Sequence, residues 1–136
     1  MVNPFFKNNG PFKVFEIFNL LNLDLKHLST DIIINDIKDL YTSNENDITF
    51  FHSKKYKSIA NNTKALFCIT TKNLKNDLPS SCTPIVVENV LIATSKVTTK
   101  FYPNSIDDNF DITAKDIMET NFKDKVKFGK NVLIGN

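Results

Sequence analysis

The sequence contains no arginine and no tryptophan, and it has only three glycines and two cysteines among its 136 residues. All 17 basic residues are therefore lysines, and Lys, Asn, Ile and Phe are in excess. Codon bias in an AT-rich genome accounts for this composition, so the missing arginine excludes no chemistry. The lysines alternate with 15 acidic residues, and the net charge of +2 leaves no basic stripe that could follow a nucleic-acid backbone. We therefore expect no nucleic-acid partner.

The two cysteines form no CxxC motif and have no histidine nearby, so they indicate neither a zinc site nor a redox site. Cys68 lies in the apolar run LFCIT, which predicts a small buried side chain, whereas Cys82 lies in the loop-like stretch PSSCTP. The amino terminus lacks the features of a secretory signal, and no apolar run approaches the length that spans a membrane. These absences favour a cytoplasmic protein with free thiols, no metal and no transmembrane segment.

The spacing of apolar residues predicts short helices that alternate with strands. Helical spacing occurs at about 12–21, 56–62 and 90–101, and Pro103 ends the last of these. Apolar or β-branched runs predict strands at 32–40, 48–51, 65–71 and 85–89. This order is typical of a small α/β domain with a mixed sheet, covering about 12–102.

The last fifteen residues, FKDKVKFGKNVLIGN, repeat with a period of six. Two series of apolar residues fall six apart, namely Phe122, Phe128 and Ile134, and Val126 and Val132. In a left-handed parallel β-helix each hexad points one apolar residue inward, and a neighbouring glycine relieves the tight turn. The alternative is an amphipathic surface strand. The pattern favours the start of a β-helix, which needs further stacked coils, so we expect the natural chain to continue.

Between the α/β domain and these hexads the composition becomes acidic and polar, as in a connector. The six-residue register does not extend backwards convincingly, because Asp116 falls where an apolar residue is needed. The sequence therefore predicts a domain at 1–105, a connector at 106–121 and the first hexapeptide repeats of a left-handed β-helix at 122–136.

The stretch NDITFFHSKKYKSIANNTKALFCIT, residues 46–70, resembles the amino-terminal domain of the UDP-3-O-acylglucosamine N-acyltransferases, the LpxD family of lipid A biosynthesis. That family typically shows a D-[IL]-[ST]-F strand, a loop of the form F-x-x-N-P-x-Y and a strand rich in Ala and Val. The stretches NPFFKNNGPFKVFEI and IVVENVLIATSKVTTKFYP are similar to other family segments, and the tail looks like the onset of the family's β-helix. Because four segments occur in the family's order, the resemblance covers essentially the whole chain.

The resemblance implies a uridine-binding role for this domain. In the family an aromatic pair stacks on the uracil of a UDP-sugar, and an Asn between the two rings contacts the nucleotide. These roles fall on Phe50 and Tyr56, and on Ser53 in place of the usual Asn, while Lys54 replaces the usual Pro. Two aromatic residues flanking a short loop can sandwich a planar base. The alternative is that Phe50 is a core residue and Tyr56 anchors the next helix.

The resemblance also implies a reaction. The family transfers a 3-hydroxyacyl group from acyl carrier protein to the 2-amino group of UDP-3-O-acylglucosamine, as a homotrimer and with a histidine of the β-helix as general base. Neither His27 nor His52 lies in a β-helix coil. We therefore expect no catalytic residue in 1–136, no activity of this part alone, and no cofactor besides the acyl donor.

Three functions remain open at this point. The favoured one is the front part of such an N-acyltransferase. The second is a non-catalytic UDP-sugar-binding module, which requires a true end after Asn136 and a cover for the open coil. The third is another hexapeptide-repeat acyltransferase with an unrelated first domain, against which the loop from Phe50 to Tyr56 argues.

Overall fold

The computed structural model describes residues 6–25, 28–105 and 114–134. Two units make up the chain, Met1–Ile106 and Asp107–Asn136, and each is described by itself. The strands of the first unit are β1 Phe12–Lys13, β2 Ile33–Ile34, β3 Asp36–Ile37, β4 Asp47–Phe51, β5 Phe67–Thr70 and β6 Thr83–Val86. Its α-helices are α1 Val14–Leu20, α2 Lys57–Ala60 and α3 Val90–Phe101. No helix in these described ranges is long and apolar enough to cross a membrane.

Four of these strands form one parallel sheet in the order β3-β4-β5-β6. The expected mixed sheet is therefore wrong, since the antiparallel pair β1-β2 forms a separate sheet. Parallel neighbours need a crossover of about a dozen residues. The chain supplies 15 residues between Phe51 and Phe67 and 12 between Thr70 and Thr83, so β5 and β6 can each enter the sheet in the same direction as the strand before it.

Both faces of this sheet are covered, which explains the continuous apolar runs of its strands. On one face α1 and α3 pack over the sheet and form the α1/α3 core, whose members include Val14, Ile17, Ile48, Phe67, Ile69, Ile85, Val97 and Phe101. On the other face lies the α2 core, which consists of Leu40, Phe51, Ala60, Cys68, Leu74 and Cys82. Both cysteines are free and buried, so the loop-like setting of Cys82 did not make it exposed.

The predicted helix at 90–101 is confirmed as α3. Asn89 caps it, because its side-chain oxygen accepts a hydrogen bond from the backbone N–H of Ile92 at 3.1 Å. Val90, Ala93, Val97 and Phe101 form its buried side, as the spacing predicts.

The other predicted elements of the first unit are present, with different bounds. The first helix begins at Val14, after β1, and the strand expected at 32–40 is two short strands that stop at Ile37. The chain turns there because the Asp39 carboxylate accepts hydrogen bonds from backbone N–H groups that follow it.

The described residues 114–134 of the second unit contain the short strands β7 Lys115–Asp116 and β8 Leu133–Ile134, which pair antiparallel. Phe122, Val126 and Phe128 are 40–46% exposed. No parallel coil is present in these described residues, and the left-handed β-helix stays a prediction. Two and a half hexads are shorter than one three-hexad coil, so they have no second coil on which to stack. Residues 106–113 of the expected connector lie outside the described residues, and the predicted domain boundaries stay predictions.

Two buried threonines of the sheet differ in hydrogen bonding. Thr49 and Thr70 are both 0% exposed. The Thr70 hydroxyl donates to the backbone oxygen of Phe51 at 3.0 Å, whereas the Thr49 hydroxyl has no hydrogen-bond partner in the described part of the chain. A buried hydroxyl without a partner destabilises the folded state, because it gives up its hydrogen bonds to water.

We expect Thr49→Val to leave the free energy of unfolding unchanged or to raise it by about 1 kcal/mol, since valine has nearly the same shape and no polar atom. Thr70→Val is the matched control and should lower it by about 1–2 kcal/mol, because it removes a made hydrogen bond. Urea denaturation of the two variants measures both values. Equal destabilisation by both substitutions would contradict the assignment of an unpartnered Thr49.

Candidate functional site

The predicted site residues lie at and after the carboxyl end of β4. Strand β3 pairs only with the first part of β4, through Asp36 opposite Asp47 and Ile37 opposite Ile48. The far part of β4, which includes Phe50, therefore continues beyond the end of its neighbour. This difference in strand length opens a space beside Phe50 at the sheet edge.

The loop that follows β4 is short and turns back on itself. Ser53 is the N-cap of a 3₁₀ turn, Lys54–Tyr56, and its hydroxyl oxygen accepts a hydrogen bond from the backbone N–H of Lys55 at 3.4 Å. The backbone N–H of Tyr56 donates to the Ser53 carbonyl at 3.0 Å. This turn brings Tyr56 back beside His52, with ring centroids 5.6 Å apart.

A depression of about 280 Å³ lies beside this loop. Its lining residues are Asp39, Leu40, Tyr41, Phe50, His52, Tyr56 and Ile59. The structure thus brings Phe50 and Tyr56 together on one surface, as the stacking hypothesis requires. Ser53 does not line this depression, and its hydroxyl oxygen is bonded to the backbone N–H of Lys55. Three aromatic rings and two aliphatic side chains suit a flat group of low polarity.

Asp39 forms the opposite rim and organises the turn that carries Tyr41. Its carboxylate accepts hydrogen bonds from the backbone N–H groups of Tyr41, at 2.8 Å, and Thr42, at 3.0 Å, and from the Thr42 hydroxyl. Burial raises the pKa of Asp39, but these hydrogen bonds to the charged form outweigh it, so the pKa lies below its usual value.

A second depression, of about 520 Å³, adjoins the first. It shares Leu40, Tyr41 and Ile59 with the first depression, and its remaining lining residues are Asn44, Ser58, Asn62 and Lys64. The added side chains are polar or cationic. The apolar and polar depressions therefore meet at the residues that line both of them, one of which is Tyr41.

The sequence did not reveal the Asp39–Tyr41 side of the site. An extended strand was expected through Leu40, yet the pattern Asp39-x-x-Thr42 is itself a signal for a turn in which the first carboxylate binds the following N–H groups. His52 was expected to be an exposed loop residue, and it is exposed, but it also lines the depression. No cluster of three or more His, Cys, Asp or Glu side chains that could hold a metal occurs within 6–25, 28–105 and 114–134.

Comparison with known proteins identifies the class. A protein of Rickettsia canadensis is 36% identical over 100 residues, which are 72% of this chain and 29% of the relative. A Rickettsia prowazekii protein gives the same identity and coverage, and one from Ruthia magnifica is 29% identical over 106 residues, 78% of this chain and 31% of the relative. Each of these relatives is named UDP-3-O-acylglucosamine N-acyltransferase, so the chain is related to a class of N-acyltransferases.

Within that class the chain belongs to the LpxD family. The family model for UDP-3-O-(3-hydroxymyristoyl) glucosamine N-acyltransferase, LpxD, matches residues 31–100. This range contains β4, the loop after it and the turn at Asp39. The chain spans less than a third of the length of the curated relatives that it matches.

The low pKa of Asp39 gives a prediction for stability. Because the folded-state pKa is depressed, its contribution is present above the unfolded-state pKa, about 3.9, and is lost as the pH falls through the folded-state pKa. We expect Asp39→Asn to lower the free energy of unfolding at pH 6, and this difference from the unaltered protein should shrink below about pH 4.

Urea denaturation between pH 2.5 and pH 6 measures that difference. Glu45→Gln is the control, since Glu45 is exposed on the next turn, 44–47, and its side chain has no hydrogen bond or ion pair within the described residues. A pH-independent effect of Asp39→Asn would contradict the role of the charged carboxylate.

Proposed function

We propose that this chain supplies the uridine-binding domain of a lipid A N-acyltransferase. The enzyme would transfer a 3-hydroxyacyl group from acyl carrier protein to the 2-amino group of UDP-3-O-acylglucosamine. Membership of the LpxD family and the names of the relatives support the reaction class. One observation of the structure carries the binding role: Phe50 and Tyr56, the two residues expected to stack on uracil, line the same depression.

The proposed binding mode uses flat aromatic surface more than hydrogen bonds. Phe50 is half-buried and packs against the α1/α3 core, so its ring has firm support. Tyr56 is 37% exposed and held beside His52, which leaves part of its ring free to contact a base. Stacking of a base on an aromatic side chain contributes about 1–3 kcal/mol.

Ser53 has a smaller part in this proposal. Its oxygen accepts a bond from the Lys55 backbone, but a hydroxyl can also donate one, so Ser53 can still offer its proton to the nucleotide. The serine side chain is shorter than that of the asparagine that is usual in the family. We therefore assign most of the affinity to Phe50 and Tyr56.

We propose no catalytic role for His52, which lies in the nucleotide-binding loop. The general base, the acyl groove and the carrier-protein contacts belong to the β-helix in this proposal, and the active assembly is a trimer in the cytoplasm. The hexads at 122–134 support the β-helix part, because their apolar side chains recur every six residues and Phe122, Val126 and Phe128 remain partly exposed. Such side chains become buried when further coils stack on them.

Titration with UMP tests the binding role. We expect UMP to shift the NMR signals of Phe50, Tyr56 and their neighbours, and Tyr56→Ala to weaken binding roughly tenfold, as the loss of one base stack implies. Ser53→Ala should weaken it less. Phe15→Ala, which removes an equally exposed ring on α1, is the control and should have no effect. Equal affinity for UMP and ribose 5-phosphate would contradict base stacking.

An acyl-transfer assay tests whether nucleotide binding and catalysis belong to different parts of the enzyme. We expect residues 1–136 to bind UMP yet to form no N-acylated product from 3-hydroxyacyl-acyl carrier protein and UDP-3-O-acylglucosamine, because no general base is assigned within them. Product analysis by mass spectrometry measures this. Product formation by residues 1–136, abolished by His52→Ala, would contradict the proposal and give His52 the role of the base.

A further inference from the structure

Tyr41 is the most exposed aromatic residue that the structure describes. Its exposure is 85%, whereas the other exposed aromatic residues, Phe6, Phe15, Tyr56, Phe122 and Phe128, range from 37% to 42%. Single exposed apolar side chains are common on proteins. Tyr41 differs because its ring stands on the rim of a depression already lined by Phe50 and Tyr56.

The backbone of Tyr41 is fixed although its side chain is free. Its N–H donates to the Asp39 carboxylate at 2.8 Å, and the next N–H, of Thr42, donates to the same oxygen at 3.0 Å. On its other side Leu40 is 9% exposed and belongs to the α2 core. The backbone that carries the ring is thus ordered before any ligand binds, so binding costs the rotamer entropy of the side chain but no backbone ordering.

The surroundings of Tyr41 define the part of a nucleotide that it can meet. On one side lies the apolar depression with Phe50 and Tyr56, and on the other the polar depression with Asn44, Asn62 and Lys64. A nucleotide has the same division, since its base is flat and weakly polar and its ribose phosphate is polar and anionic. Because Phe50 and Tyr56 are assigned to the two faces of the base, a residue between the two depressions is placed to contact the edge of the base.

We propose that Tyr41 is a third aromatic contact of the nucleotide base and packs against its edge from the rim. This inference rests on the proposed uridine-binding function and extends it to a residue on a separate turn. An edge contact of this kind needs the ring and not the hydroxyl, so phenylalanine at this position retains the contact. The contribution of Tyr41 depends on the base, and a ligand without a base does not receive it.

The test compares Tyr41→Ala, Tyr41→Phe and the control Phe15→Ala in calorimetric titrations with UMP and with ribose 5-phosphate. We expect Tyr41→Ala to weaken UMP binding about fivefold, as the loss of one edge-to-face aromatic contact implies, and Tyr41→Phe to restore most of the affinity. Binding of ribose 5-phosphate should be the same in all variants. Because the side chain is 85% exposed, the thermal midpoint of Tyr41→Ala should not change.

The outcomes separate the two proposals. If the unaltered protein binds UMP and Tyr56→Ala weakens this binding, but Tyr41→Ala does not, then the role of Tyr41 is wrong and the uridine site stands. An equal loss of UMP and ribose 5-phosphate binding in Tyr41→Ala would also overturn the role, because it shows an effect that does not depend on the base. Failure of the unaltered protein to bind UMP would overturn the proposed function itself, and the role of Tyr41 with it.

Discussion

The carboxylate of Asp47 holds together the elements on which the site depends. Asp47 is 3% exposed and begins β4, and one of its oxygens accepts hydrogen bonds from the Lys38 ammonium and from the Asn44 backbone N–H, each at 2.9 Å. It thereby joins the segment after β3, the turn at 39–44 and the strand that carries Phe50. A buried ion pair adds little net stability, but loss of one partner is costly because it leaves an unpaired charge. The contacts of Asp47 therefore fix the relative positions of these three segments more than they raise the free energy of unfolding.

The parallel sheet explains why a depression forms where it does. Parallel α/β sheets place ligands beyond the carboxyl ends of their strands, because the loops that follow the strands meet there. Here β3 ends before β4 does, so within the described residues Phe50 of β4 has no strand beside it on that edge. The loop at Ser53 and the turn at Asp39 border the depression that results. A longer β3 would fill this space with backbone. The site thus follows from a difference in strand length.

Sequence reasoning succeeded where one physical signal dominated. The apolar run at 65–71 and the helical spacing at 90–101 correspond to β5 and α3, since both elements owe their position to burial. The aromatic pair at Phe50 and Tyr56 came from family resemblance, and the structure brings the two rings to one surface. Without the resemblance, the residues alone favoured the alternative, in which Phe50 is a core residue and Tyr56 anchors the next helix.

Other features were not predicted, for different reasons. The turn at Asp39 and the position of Tyr41 were not predicted, because a β-branched run before them suggested that the strand would continue. Sheet direction was mispredicted as well, since hydrophobic patterns do not record which edge a returning strand joins. The hexads at 122–134 are a different case, because their expected fold requires neighbours that stack on them.

The outer edge of the sheet has a consequence for how this domain meets other chains. Strand β6 is an edge strand, and the N–H groups of Thr83 and of Val87 just after it point inward to β5 and its flanks. By alternation the nitrogens of Pro84 and Val86 face outward, and proline carries no N–H. The exposed edge therefore lacks one of the donors that an added strand would need. This edge of the domain therefore resists growth into a continuous intermolecular sheet.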